Sequence, residues 1–264
     1  MKNIFLFLLL CFLLSTGFVA CQSNQHQSET VQDSLMALNS TDSSILMYAD
    51  GIEKLKASLT KIESPVYSQG DDFYYAAIYE KDSIPVLYVA FNESKDKTFN
   101  EKKYYLENGA LVLFYEQSKQ AAIQEKSSFD FKEDRVFFRN DIFLKADQRL
   151  AKSEDLLNIA PFVLVDEYLV NKDKQADLKQ IEDAAYQLGD YDLTFDRIES
   201  QSPTLKYLVM ANKNSNTFES FYQVNEADSV ILNMEANPGL YKGQKLKIDY
   251  IKRGKKMIFK GLTP

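Results

Sequence analysis

Apolar positions recur along this chain at two periods, and the switches between them divide it. Ile45, Tyr48, Ile52, Leu55, Leu59 and Ile62 stand 3, 4, 3, 4 and 3 residues apart, one stripe of an amphipathic helix. Thr41-Asp42-Ser43 offers capping side chains before it, Gly51 weakens it and Pro65 ends it. Beyond Pro65 the period shortens. Phe73–Tyr79, Val86–Phe91, Tyr104–Leu106, Leu111–Tyr115, Arg135–Phe138 and Ile142–Leu144 read as strands, with turns at Lys81-Asp82-Ser83, Asn108-Gly109 and Asn140-Asp141. The Asn-Gly pair is the strongest of these turn signals, because a type I′ turn needs positive φ at both central residues. Helical period returns at Ser153-Glu154-Asp155, which caps a stretch broken at Pro161. It appears again in the stripe Leu178, Ile181, Ala185 and Leu188, with Gly189 placed to end the helix. From Asp190 onward six short runs read as strands: Tyr191–Ile198, Leu205–Ala211, Thr217–Val224, Val230–Met234, Leu246–Ile251 and Met257–Phe259.

These elements predict an α+β chain. An N-terminal helix covers an antiparallel β-meander over residues 45–150, a helical connector spans 151–189, and a small all-β barrel or sandwich occupies 190–264. Residues 22–44 are polar, rich in Ser and Gln, and without sustained periodicity, which reads as a flexible tether. At 45% hydrophobic and 13% aromatic residues, with Tyr and Phe supplying every ring, the folded part has ample material for a core.

The first 21 residues follow a different grammar. Lys2 is followed by the apolar run Ile4–Leu14 and then by Ser15-Thr16-Gly17-Phe18-Val19-Ala20-Cys21. Charge, apolar core and small residues in that order form a secretory signal peptide. The apolar run is 11 residues long, whereas a membrane span needs about 20. Phe18-Val19-Ala20-Cys21 resembles the lipobox of bacterial lipoproteins. The resemblance implies that residues 1–20 are removed and that Cys21 is acylated and becomes the first residue of the mature chain. It also implies an envelope location, lipid-anchored, with Gln22 after the cysteine directing the protein to the outer membrane; no acidic cluster follows Cys21, which favours the periplasmic face over the cell surface. The resemblance covers about 25 residues.

Composition narrows the chemistry. The two cysteines are Cys11, inside the apolar run, and Cys21, so no pair remains for a disulfide in the mature chain. The single histidine, His26, sits in the tether, away from any held geometry. Ser–His and Cys–His mechanisms therefore lack their base, and zinc sites lack their ligands. There is no G-x-S-x-G, Walker A or G-x-G-x-x-G motif. Calcium needs only oxygen ligands, and Asp190, Asp192 and Asp196 with Asp71-Asp72 are the local acidic groups; they lack the EF-hand glycine and terminal glutamate and read as turn and strand-end polar residues. No metal, no cofactor and no catalytic residue is assigned.

Charge is unevenly spread. Without residues 1–20 the chain has 30 basic and 38 acidic residues, a net of −8, which argues against nucleic acid as a partner. Within residues 242–260 eight basic residues face Asp249 alone, a local +7, while residues 21–241 carry −15. Lys252, Arg253, Lys255 and Lys256 are the candidate surface-contact residues of this basic hairpin, with anionic head groups or an acidic partner in view. The competing expectation is an edge hairpin guarded by lysines, or one docked on the acidic body. The leading functional expectation is a non-catalytic binding or assembly role in the envelope: the lipid bilayer is engaged through acylated Cys21, and an envelope protein or glycan is the partner. The alternatives are a carboxylate-dependent glycan hydrolase and small-ligand binding on a Tyr/Phe-rich sheet.

Overall fold

Alternating burial turns most of the described chain into strands. The computed structural model describes residues 42–122, 129–139, 142–166, 174–202, 205–212, 218–225 and 229–263. It divides into two compact units, Met1–Tyr48 and Ala49–Pro264. Of the first unit, residues 42–48 are described, and they are helical. Helical residues 49–55 open the second unit, so α1 spans residues 42–55, followed by a 3-10 turn at Lys56–Ser58. The strands that follow are β1 (Thr60–Glu63), β2 (Tyr67–Gln69), β3 (Asp72–Lys81), β4 (Ile84–Glu93), β5 (Phe99–Glu107), β6 (Ala110–Ala121), β7 (Phe129–Arg139) and β8 (Ile142–Ala151). After α2 (Glu154–Ile159) come β9 (Val163–Val165), α3 (Lys174–Ala185), β10 (Leu193–Ser202), β11 (Leu205–Asn212), β12 (Glu219–Val224), α4 (Ser229–Ala236), β13 (Ile248–Arg253) and β14 (Lys256–Leu262).

All fourteen of these strands belong to one open sheet, in the order β10-β11-β12-β2-β3-β4-β5-β6-β7-β8-β9, with β1 on β3 and β14 on β12. The pairings are antiparallel except β12–β14, which is parallel at Tyr222↔Met257. The mixed α+β reading therefore holds with the balance toward β. The separate C-terminal barrel is corrected: Glu219 on β12 pairs with Ser68 on β2, so residues 190–264 extend the sheet of the meander, and one unit runs through both expected domain boundaries. That link joins positions far apart in sequence, which no local pattern announces.

Local chemistry explains the turns. Asn108 and Gly109 have φ of 53° and 82°, and Glu107 pairs with Ala110 across them, the type I′ geometry that an Asn-Gly pair favours. Asp82 and Ser83 make the same kind of turn, with φ of 53° and 65° between paired Lys81 and Ile84. The Asn140-Asp141 turn lies outside the described residues, although Arg139 and Ile142 on either side of it are paired.

One face of the sheet carries Tyr74, Ala76, Ile78, Tyr88, Ala90, Tyr104, Phe114, Val136 and Ala146, all buried, and α3 packs on it. Ile181 and Ala184 of α3 are sealed there. Three tyrosines of the sheet fix the helix by donating to it: Tyr67 Oη to the Ala184 carbonyl at 2.9 Å, Tyr88 Oη to Glu182 at 3.0 Å and Tyr104 Oη to Asp177 at 2.5 Å. The opposite face has one sealed cross-strand row, Tyr79, Leu87, Tyr105, Leu113 and Phe137. Glu53 of α1 accepts from Tyr105 Oη at 2.8 Å over this row, and the buried Leu157 of α2 packs at β7 and β8.

Three local expectations need correction. The apolar stripe overran α1: Leu59 lies beyond it and Ile62 sits in β1 opposite Ile78, because pairing to β3 captures the segment that carries the β-branched Thr60 and Ile62. Val230–Met234 is helical, inside α4, where Ile231 and Met234 bury one helical face; so short an apolar run fits either period. The C′ residue of α3 is Gln187 rather than Gly189: Gln187 has φ of 55°, its N–H donates to Ala184 O at 3.2 Å, and the Leu188 N–H donates to Asp183 O at 2.7 Å, a Schellman closure. Ser153 caps α2 as expected, its Oγ accepting from the Leu156 N–H at 3.3 Å, and α2 stops just before Pro161.

Candidate ligand-binding face

Past the sealed row, the α1-side face changes character. Register places Phe73, Glu93, Phe99, Lys119 and Phe131 in one cross-strand row of that face. The neighbouring row holds Tyr75, Phe91, Glu101, Gln117, Glu133 and Arg149. Side chains opposite one another on paired strands share a face and touch. The Tyr75 and Phe91 ring centres are 5.1 Å apart at 25°, and those of Phe91 and Phe99 are 6.1 Å apart at 14°. These are offset-stacked distances. All three rings stay half-buried, so the stack keeps part of its surface toward water. Lys119 Nζ lies 3.9 Å from the centre of the Phe129 ring, close to Phe131, and continues the aromatic row.

A lattice of ion pairs stiffens the β7–β8 end. Arg135 binds Asp147 through two nitrogens, at 2.7 and 2.8 Å, and its guanidinium carbon lies 3.3 Å from the centre of the Phe162 ring. Glu133, nearly fully buried, accepts from Arg149 and from the Tyr115 hydroxyl. Bidentate Arg–carboxylate pairs are directional and hold their geometry.

The basic hairpin β13–β14 docks at the other end. Lys252 is bonded to Glu63, with its Nζ 3.7 Å from the centre of the Tyr75 ring. Lys255 pairs with Glu93 at 2.5 Å and lies 4.8 Å from the centre of the Phe73 ring. Arg253 and Lys256 are exposed. Of the four expected contact residues, two therefore dock on the acidic body and two face solvent. Burial pushes the Lys252 pKa below its ordinary value, against the opposing hydrogen bond and charge of Glu63. Burial pushes the Glu63 carboxyl up, but the hydrogen bonds and charges of Lys252 and Lys61 outweigh it and hold the group below its ordinary value. Tyr79 is pushed up to about 12 by burial and by Glu63 and Glu53.

Three of the acidic residues weighed for calcium are held in ion pairs. Asp192 meets Lys245 at 2.8 Å, Asp196 meets Arg197 at 2.7 Å and Lys242 at 3.0 Å, and Asp71 meets Lys95 at 2.6 Å. Among the described residues no group of three or more His, Cys, Asp or Glu is arranged to hold a metal ion. Hydrogen bonds and neighbouring charges hold the Glu53, Glu63, Asp96, Asp177 and Asp196 carboxyls below the ordinary range. Cys21 and His26, with the signal segment and tether, lie outside the described residues. The Tyr75–Phe91–Phe99 stack was not singled out by sequence; its aromatic residue types are legible there, but their common face follows only from strand register. Comparison with family models, curated proteins and solved structures returns no match to this chain.

Proposed function

We propose that this chain is a lipid-anchored protein of the bacterial envelope with a non-catalytic binding role, and that its ligand is a glycan taken on the half-buried aromatic face. The observation that carries the reading is the Tyr75–Phe91–Phe99 stack, set among Glu93, Glu101, Gln117 and Lys119. Flat ring faces suit the apolar C–H face of a pyranose, and the flanking carboxylate, amide and ammonium groups suit its hydroxyls. The neighbouring ion-pair lattice supports such a surface by keeping its strands in fixed register.

The anchor half of the reading rests on Val19-Ala20-Cys21 and the polar tether behind it. A flexible chain of this length would hold the folded part on the order of 25–30 Å from the bilayer. That reach suits a partner in the envelope space, with the outer membrane and its periplasmic face as the proposed address.

Two experiments test the halves separately. Cys21→Ser should abolish fatty-acid labelling and release the protein from the membrane fraction; unchanged labelling would overturn the anchor. Wild-type full chain should co-sediment with insoluble envelope polysaccharide, and Tyr75→Ala should release it while leaving the melting curve two-state. Equal retention of the two would overturn the glycan reading of this face.

A further inference from the structure

Three large cavities open on the Ala49–Pro264 unit among the described residues, of about 590, 520 and 430 Å³. In the first, Lys242 and Arg197 pair with Asp196, and in the second Lys245 pairs with Asp192. The third pairs Lys255 with Glu93 and leaves Lys256 exposed. It lies where the hairpin strand β14 and strand β2 share the edge of β12, at the end of the aromatic face. Phe73, Tyr207 and Phe221 form its apolar walls, the last two ring-to-edge with centres 6.3 Å apart. Ser68, Gln201, Gln223, Lys255 and Lys256 supply its polar groups, and among the described residues no carboxylate lines it. Lys255 is steadied by Glu93, which stands outside the wall, and Lys256 is exposed.

That is a local positive site on a body whose residues 21–241 carry −15. Its size falls within the range of small-molecule sites, about 300–1,000 Å³. Half-buried rings beside two ammonium groups and two amides select for a ligand with a flat apolar face, hydroxyls and a negative charge. A neutral sugar would leave the lysines unused, and a purely anionic group would leave the rings unused.

We propose that this cavity is a subsite for a carboxylate-bearing sugar, a hexuronate residue of the glycan: its ring lies against Phe73, Tyr207 and Phe221, and its carboxylate meets Lys255 and Lys256. The assignment rests on the glycan reading of the aromatic face and names its charged specificity. It also gives the two hairpin lysines different tasks, since Lys255 is held in place by Glu93 whereas Lys256 reaches the ligand from solvent.

The test is a calorimetric titration of the full chain in detergent with methyl glucuronide and methyl glucoside, which differ only in the carboxylate. Wild type should bind the glucuronide at least tenfold more tightly, and the preference should shrink as salt shortens the Debye length from about 10 Å at 0.1 M to about 3 Å at 1 M. Lys256→Gln, an exposed change without consequence for folding, should remove most of the preference, and Tyr207→Ala should weaken both probes. Equal binding of the two probes, or a Lys256→Gln chain that keeps the full preference, overturns the subsite. A chain that needs Tyr75 to retain neutral polysaccharide but shows no glucuronide preference overturns the subsite and leaves the glycan reading standing. A glucuronide preference in a chain whose polysaccharide retention ignores Tyr75 supports the subsite and overturns the reading of the stack.

Discussion

Removing the Asp177 carboxylate should loosen α3 from the sheet by an amount the structure sets. Asp177 accepts from Tyr104 Oη at 2.5 Å and from Lys102 Nζ at 2.8 Å. Tyr104 is fully buried, while the Lys102 and Asp177 side chains keep 18% and 22% of their surface exposed. Asp177→Ala leaves a buried phenol without its acceptor, which costs about 1–3 kcal/mol. It also strands an ammonium whose pair, if fully buried, would cost about 3–5 kcal/mol to break. Because both side chains still reach water, the ion-pair contribution falls to about 1 kcal/mol or less, and the combined loss to about 2–3 kcal/mol. For a folded unit of this size each kcal/mol moves the midpoint by about 2–4 °C, so thermal melting should fall by about 5–10 °C. The pH dependence carries the sign. Burial pushes the Asp177 carboxyl up, but hydrogen bonds from Lys102 and Tyr104 and the charges of Lys102 and Lys174 hold it below its ordinary value. A depressed folded pKa contributes stability that is present above the unfolded value of about 3.9 and lost as pH falls through the folded one. The gap between wild type and variant should therefore be full at about pH 7 and shrink below about pH 4. Coincident melting curves at neutral pH, or a gap that persists unchanged into acid, would refute the reasoning.

Two further outcomes follow from the turns and the tyrosines. Gly109→Val places a β-branched residue at a φ of 82° where the new Cβ meets nothing within 4 Å, so its penalty is backbone strain alone, about 1–3 kcal/mol read from thermal melting; a wild-type midpoint would contradict the turn geometry. Burial holds Tyr67, Tyr74, Tyr104, Tyr105 and Tyr222 protonated well above the ordinary tyrosine value. A raised folded pKa gives stability that is complete below the unfolded value of about 10 and lost as pH rises through the folded one, so phenolate absorbance from these rings should appear in a cooperative step together with loss of circular dichroism. Gradual ionisation near 10 with an intact circular dichroism spectrum would show that the rings are not sealed.

What the sequence disclosed was local. The Asn108-Gly109 turn, the Ser153 cap and the Leu178, Ile181 and Ala185 part of the α3 stripe each depend on residues within a few positions of one another and stand where their patterns put them, whereas Leu188, the last of that stripe, lies exposed past the helix. The misses have two physical origins. Short apolar runs fit both periods, which is how Val230–Met234 was read as a strand although Ile231 and Met234 bury a helical face. Strand tails rich in charge were also read too short: β5 starts at Phe99, and Lys102 and Lys103 inside it are satisfied by Asp177 and Glu53 from elements far along the chain. The joining of the C-terminal strands to the meander depends on Glu219 meeting Ser68, a tertiary choice without a local signature. The candidate face was half legible. Phe91 stood in the expected run Val86–Phe91, but its stacking between Tyr75 and Phe99 needs the register of three strands.

The glycan reading stands most directly on the Tyr75–Phe91–Phe99 stack, and a single titration reaches it. The full chain in detergent is titrated by calorimetry with soluble oligosaccharides released from envelope polysaccharide, as wild type and as the Phe91→Ala/Phe99→Ala double variant. Both rings are half-buried on the sheet face, so the variant should keep a two-state melt. The account predicts at least tenfold weaker binding by the variant, equivalent to about 1.4 kcal/mol of lost affinity. Equal affinity of a folded variant and the wild type would contradict it.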